Sequence, residues 1–128
     1  MQFMRTLLKA VVAEVLAIAA LTETTTGTGI DIAAYDGTGM FILHSAAGTG
    51  TTPTMNVKLQ HCDTVDGTYA DITGATFTEV DDTEGGAIEA IYVDLSAAKR
   101  YIRAVATIAG TTPSFTCGVT FAGIAKGS

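Results

Sequence analysis

The feature of this sequence that most constrains its fold is an alternation of apolar and polar residues. The stretch MNVKLQ at residues 55–60 shows it most clearly, and residues 101–108 and 115–121 follow the same pattern. Successive side chains of a β-strand point to opposite faces of its sheet, so a period of two puts one set of side chains on a core and the other set outside. The alternation therefore predicts three strands, each with one buried face.

Turn-forming residues divide the remainder of the chain into short segments of strand type. These breaks define about eight strands, at roughly the 8–12-residue spacing that is typical of sandwiches. No segment is long enough for the helical crossover that parallel strands need. We therefore predict an all-β fold, an antiparallel β-sandwich of jelly-roll-like type with about eight short strands. The predicted turns and loops lie at Asp36-Gly37 and at residues 46–53, 63–67, 81–86 and 111–113.

The longest apolar run, LLKAVVAEVLAIAAL at residues 7–21, is treated as an N-terminal arm. It contains Lys9 and Glu14 and is shorter than the ~20 residues of a transmembrane helix. Glu14 also argues against a cleaved signal peptide. Helical spacing of its apolar residues favours an amphipathic helix, whereas its β-branched content favours an extra strand.

The arm predicts a division of the chain into residues 1–25 and a β-sandwich domain at residues 26–128. The arm either packs on its own domain or docks on a neighbouring subunit, and the sequence leaves both alternatives open. If it docks, its apolar side chains form the interface. The candidate interface residues are Leu7, Leu8, Val11, Val12, Val15 and Leu16.

Charge and composition exclude several classes of function. Thirteen acidic and seven basic residues give a net charge of −6, which argues against a nucleic-acid-binding surface. Only 16% of the residues are charged, against about 25% in typical globular proteins. This low fraction fits a surface that is partly buried against neighbouring subunits, although a threonine-rich β-surface produces the same value.

The residues that carry out chemistry do not form a recognisable catalytic pattern. His44 and His61 lie at the ends of predicted strands, and there is no GxSxG motif. The acidic residues fall in turns, where aspartate is favoured because its side chain bonds the local backbone. We therefore expect no enzymatic activity, no catalytic residue, no structural metal ion and no cofactor, and leave calcium in the acidic loops open.

The two cysteines, Cys62 and Cys117, lack the spacing of a metal site and could form one disulfide. Cys117 falls on the apolar side of an alternating strand. That position favours a buried free thiol, because free cysteine packs as a small apolar residue.

Three stretches of the chain resemble a group of small proteins encoded among the head and structural genes of tailed phages and prophages. They are YADITGATF at residues 69–77, KRYIRA at residues 99–104 and PSF at residues 113–115. The resemblance covers about residues 26–122, and the arm fits it least well. Its motifs consist of turns and strand faces, so they indicate a lineage more directly than an activity.

This resemblance implies a structural protein of the virion, made in the host cytoplasm and located on the capsid exterior. The implied role is a capsid decoration (cement) protein that binds between major capsid subunits. The implied partners are the major capsid protein and copies of itself in a homo-oligomer, with a trimer as one option, and neither nucleic acid nor a membrane. A tail or head–tail junction role and a surface receptor- or glycan-binding module stay open as alternatives.

Overall fold

A computed structural model describes residues 10–83 and 85–126 of the 128-residue chain. Every strand pairing in it is antiparallel, which confirms the predicted all-β antiparallel fold. The part of the chain that it describes contains no helix long and apolar enough to cross a membrane. The strands are β1 (Ala10–Leu21), β2 (Thr25–Thr26), β3 (Ile30–Asp31), β4 (Tyr35–Ser45), β5 (Thr49–Cys62), β6 (Ala70–Thr76), β7 (Ala87–Asp94) and β8 (Tyr101–Ala125).

The 25-residue strand β8 runs through both layers of the molecule and joins them. Residues 115–125 of β8 lie between β1 and β4, and β7 pairs with the far side of β4; we call this layer sheet A. Residues 101–111 of β8 lie between β5 and the short strands β2 and β3, and β6 pairs with the far side of β5; we call this layer sheet B. The edge strands are therefore β1 and β7 in sheet A, and β6 with β2 and β3 in sheet B.

The change of layer occurs at a tetrapeptide, Gly-Thr-Thr-Pro, that is present twice. One copy occupies residues 50–53 in β5 and the other residues 110–113 in β8. The two copies lie side by side, with Thr51 paired with Thr111 and register shifts next to this pair. The predicted loop at residues 46–53 and turn at residues 111–113 are therefore corrected: much of the first and all of the second belong to continuous strands that bend together.

The backbone of the two tetrapeptides explains why both strands bend. Gly50 and Gly110 have φ of 111° and 119°, and Thr52 and Thr112 both have φ of 47°. A β-branched residue rarely adopts this left-handed region, so the surrounding pairing must hold it there. A Cβ atom on Gly50 would lie 2.5 Å from the carbonyl oxygen of Thr112, and one on Gly110 would lie 2.9 Å from that of Thr52. The reciprocal close approach requires glycine at both positions.

The core lies between the sheets and is formed by the inward sets of the alternating strands. Phe41, Phe115 and Phe121 are fully buried, and the rings of Phe41 and Phe121 lie 5.0 Å apart. Cys117 is buried and free, which confirms the prediction from its position in the strand pattern. Its thiol lies 3.5 Å from the sulfur atom of Met55 across the two layers.

The described part of the predicted arm is the edge strand β1, so the strand alternative holds for residues 10–21. β1 pairs antiparallel with β8 and contains two register shifts, one between Glu14 and Leu16 and one between Leu16 and Ala19. A bulge lets neighbouring side chains point to the same side. Val15 and Leu16 are both buried in the core for this reason, which a regular strand would not allow. The division of the chain at residues 25 and 26 stays a prediction.

Candidate interaction surface

The outward side of sheet A is apolar across all four of its strands. The ladder places Val12, Ala122, Met40 and Tyr92 in one row from β1 to β7. A second row contains Ile42 and Ala90, and a third contains Ile18 and Ile88. We call these side chains the outer apolar face. Its members are Val12, Ile18, Met40, Ile42, Ile88, Ala90, Tyr92 and Ala122.

The largest members of this face are highly exposed. The exposed fractions are 69% for Val12, 70% for Ile18, 73% for Ile88 and 68% for Tyr92. Ile18 lies over Gly118 of β8, since a Cβ atom there would come within 2.6 Å of the Ile18 side chain. Exposed apolar side chains are common singly, but a contiguous group marks an interaction site.

Three polar residues interrupt the face without dividing it. Glu14 lies on β1, Thr120 on β8 and His44 on β4. The side chains of Glu14 and His44 are both exposed to solvent. The predicted position of His44 near a strand end is correct, and the structure places it on this face.

The predicted interface residues occupy different environments. Val12 lies on the outer apolar face, whereas Val15 and Leu16 are only 2% and 4% exposed and pack in the core. Their side chains are therefore committed to the fold of this chain. Val11 pairs with Gly123 in the ladder, and Leu7 and Leu8 lie outside the described residues. That these residues contact a partner stays a prediction.

Sequence reasoning missed Ile18, Ile88 and Tyr92 as surface residues, although a signal was present. The segment MFIL at residues 40–43 is apolar without alternation, and β7 is apolar at nearly every position from Ala87 to Val93. A strand that is apolar on both sides is expected where both faces of the sheet are covered. Among residues 10–83 and 85–126, which the structure describes, only the inner side is covered.

The outward side of sheet B is polar and internally bonded. The Lys58 Nζ lies 3.0 Å from the Asp71 carboxylate, and Gln60 donates a hydrogen bond of 2.8 Å to the same carboxylate. Arg103 donates from Nε to Gln60 Oε1 at 2.9 Å, and its guanidinium lies 4.0 Å from the centre of the Tyr69 ring. Hydrogen bonds from Gln60 and then Lys58 lower the pKa of Asp71 below its usual range. These polar groups are satisfied within one chain.

Asp31, Arg100 and His61 are also engaged locally. The Arg100 guanidinium lies 2.8 Å from the Asp31 carboxylate, a cross-strand pair of the kind predicted for the KRYIR segment. The Nδ1 atom of His61 accepts a hydrogen bond of 3.1 Å from the backbone N–H of Lys99, and burial followed by the charge of Lys99 lowers the pKa of this histidine. Within residues 10–83 and 85–126, no three His, Cys, Asp or Glu side chains come together as a metal-binding group.

A cleft of about 220 Å³ lies where the edge strands β6 and β7 of the two sheets approach each other. Its lining includes His61, Ile72, Tyr92 and Asp94. One end of the outer apolar face therefore borders this cleft through the Tyr92 ring.

These features define a class of protein: a two-sheet antiparallel β-domain with one polar and one apolar outer face. No protein family model and no curated protein matches the chain. Among solved structures, the PBSX exported protein XepA matches 92% of this chain with a TM-score of 0.58 and 19% sequence identity. The chain spans 38% of the length of that protein. The likeness establishes a shared fold.

Proposed function

We propose that the protein is a non-enzymatic structural component of a phage-related particle, most directly a capsid decoration protein that binds between major capsid subunits on the capsid exterior. The observation that carries the proposal is the outer apolar face of sheet A. Four side chains on its two edge strands are each about 70% exposed. An apolar surface of this extent is retained in a soluble chain when an assembly covers it.

Two further lines of support concern the phage part of the proposal. The motifs at residues 69–77 and 99–104 resemble structural proteins of tailed phages. The fold is shared with XepA, an exported protein of the prophage PBSX. The sequence motifs and the three-dimensional fold thus both support a phage-related protein.

The chemistry of the described surface fits a binding role. His44 stands on an apolar face, and the Nδ1 atom of His61 accepts a backbone hydrogen bond. A particle also offers many identical sites. A modest contact repeated at every site stabilises a shell strongly, because each bound copy holds its neighbours in place.

A tail or head–tail junction role would use the same face on a different part of the particle. A receptor- or glycan-binding role has one specific observation in its favour: the exposed Tyr92 ring lines the cleft between β6 and β7. An aromatic ring at the edge of a cleft is a suitable platform for a sugar.

Co-sedimentation of the purified full chain with expanded phage heads tests the proposal. We expect saturable binding, and we expect Ile18→Lys to weaken it because this change puts a charge into the apolar face. Val65→Lys is the matched control, since Val65 is an exposed apolar residue (41% exposed) in a distant turn. Deleting residues 1–9 tests the arm while leaving β1 intact. Deleting residues 1–21 would instead remove Val15 and Leu16 from the core.

Three outcomes are informative. Saturable binding that Ile18→Lys weakens and Val65→Lys preserves supports the decoration role. Binding to purified tails and not to heads supports the tail alternative. A chain that sediments with neither, at any concentration tested, contradicts the proposal.

A further inference from the structure

We propose that the outer apolar face is covered by the same face of a second copy of this chain. The contact is two-fold, and its axis runs parallel to the strands, midway between β8 and β4. This inference rests on the proposed function in taking the face as an assembly surface, and it goes further by naming the occupant and the register of the contact.

The outward side chains on the two central strands differ in size. β8 presents small residues outward, Gly118, Thr120 and Ala122, of which Gly118 is covered by the Ile18 side chain. β4 presents larger side chains in the same three rows. The matching residues on β4 are His44, Ile42 and Met40, respectively.

This difference makes the face complementary to itself under one particular operation. An axis parallel to the strands places β8 of one copy against β4 of the other, so that Thr120 and Ala122 meet the larger Ile42 and Met40. An axis perpendicular to the strands would place β4 on β4 and β8 on β8, so that large residues meet large ones and small residues meet small ones. Packed sheets lie about 10 Å apart with their strands nearly aligned, and their interface must be filled to the density of a core.

The same operation also matches the two edge strands. It places β1 of one copy over β7 of the other. Val12 then faces Tyr92 of the partner subunit, and Ile18 faces Ile88 of the partner subunit. The four most exposed members of the face are therefore buried together at the two sides of the contact.

The available area suits a weak, reversible contact. Four strands about 4.8 Å apart, over three rows about 6.6 Å apart, cover roughly 400 Å² per copy. Two copies thus bury roughly 800 Å², the size of a weak or transient interface. An interface of this size forms a reversible dimer in solution and is reinforced where many copies assemble.

The charges on the face are compatible with self-association. Within the three rows, Glu14 is the formal charge, and it lies on the edge strand β1. The two-fold operation places it over Ala90 of the partner subunit, at the rim where water reaches the carboxylate. No charge has to be buried without a partner, which would cost far more than the contact provides. The repulsion between two chains that each carry a net charge of −6 is screened at physiological salt.

Sedimentation equilibrium of the purified full chain, without any particle present, measures the association. We expect a monomer–dimer equilibrium, in which the dimer has twice the 13.1 kDa mass of one chain. Ile18→Lys and Ile88→Lys should each weaken the dimer about tenfold or more, because each places an unpaired charge in the contact. Val65→Lys changes the net charge equally and should leave the dimer unchanged, and circular dichroism checks that each variant is folded.

A charge rescue tests the register. In the double variant Ile18→Lys/Ile88→Glu, the lysine of each copy faces the glutamate of the other, so the dimer should recover most of the affinity that Ile18→Lys loses. Within one chain these positions are three strand spacings apart, about 14 Å, which excludes an internal ion pair. Ile18→Lys/Tyr92→Glu carries the same charges in unmatched rows and should not recover.

The outcomes separate this inference from the proposed function. A dimer that Ile18→Lys weakens and the matched double variant restores supports the inference, whether or not heads are bound. A monomer at all concentrations, a trimer, or a dimer that is insensitive to the face variants overturns it. A monomer that still binds heads through this face leaves the proposed function standing while the inference fails.

Discussion

The outward sides of the two sheets are built from the same kind of strand and differ in what covers them. On sheet B, the side chains of Lys58, Gln60 and Arg103 bond one another through Asp71 and stack on Tyr69. On sheet A, the corresponding positions carry isoleucine, methionine, valine and tyrosine with little to contact. One side is completed within the chain, and we propose that a partner completes the other.

This difference shows how a chain with few charges distributes them. Its lysine and arginine side chains on sheet B each have an acceptor or a ring within reach, which keeps that surface hydrated. Sheet A combines an apolar outer side with a largely apolar inner side, which is close to the pattern of a buried sheet. The composition of 16% charged residues is therefore uneven in space, and its deficit is concentrated on one surface.

We expect the largest difference in the free energy of unfolding between substitutions on the two sides of β1. Leu16→Ala should lower the free energy of unfolding by about 2–5 kcal/mol, because it leaves a cavity in the core. Val12→Ala, on the outward side of the same strand, should change it by less than about 0.5 kcal/mol in dilute solution. Urea unfolding monitored by circular dichroism measures both. Equal losses in the two variants would mean that the outer apolar face already contributes to the stability of the isolated chain.

A substitution on the outward side of sheet B should change the free energy of unfolding by a smaller amount. Arg103→Ala should lower it by about 1 kcal/mol, since the change removes the contact with the Tyr69 ring and the hydrogen bond to Gln60. Arg103→Lys keeps the charge and loses the planar stack, so it should recover only part of this loss. Ile88→Ala is the matched change on sheet A and should have almost no effect on the monomer. The comparison of the two faces fails if Ile88→Ala is the more damaging variant.

Alternation was sufficient to predict the strands that have one face on the core. β5 and the two ends of β8 follow directly from the sets beginning at Met55, Ile102 and Phe115, because each set is buried. The bend between the ends of β8 was not predicted. A Gly-Thr-Thr-Pro sequence has the composition of a turn, and only its pairing with a second copy 60 residues earlier turns it into a bend inside a strand.

The candidate surface was harder to predict for a related reason. An apolar run such as MFIL at residues 40–43 is consistent with any strand that is buried on both sides. The sequence does not indicate which side is buried by the same chain and which by a partner. In β1, the bulges move Val15 and Leu16 to the same side, so a regular pattern could not identify Val12 and Ile18 as the exposed pair. Two of the predicted interface residues, Val15 and Leu16, thus pack in the core, and contact of this strand with a partner stays a prediction.

The smallest effect that we expect is a pH dependence of the stability contributed by Asp71 on sheet B. The pKa of Asp71 is lowered in the folded chain by hydrogen bonds from Gln60 and Lys58. A carboxyl group whose folded pKa lies below its ordinary value of about 3.9 stabilises the fold above that value. The stabilisation is lost as the pH falls from the ordinary value through the lowered one. Asp71→Asn should therefore be slightly less stable than the unsubstituted chain at pH 7, and this difference should shrink as the pH falls below about 4.

Chemical unfolding of both proteins at a series of pH values between neutral and strongly acidic measures the difference. Asp63→Asn removes an equal charge from an exposed turn and serves as the control for net charge. Ile88→Asn adds the same amide to the outer apolar face and controls for the side chain. A difference for Asp71→Asn that stays constant with pH would show that the Lys58–Gln60–Asp71 contacts do not depend on ionisation. The outward side of sheet B would then be held by neutral hydrogen bonds and ring stacking, and the contrast with sheet A would be one of shape and polarity rather than of charge.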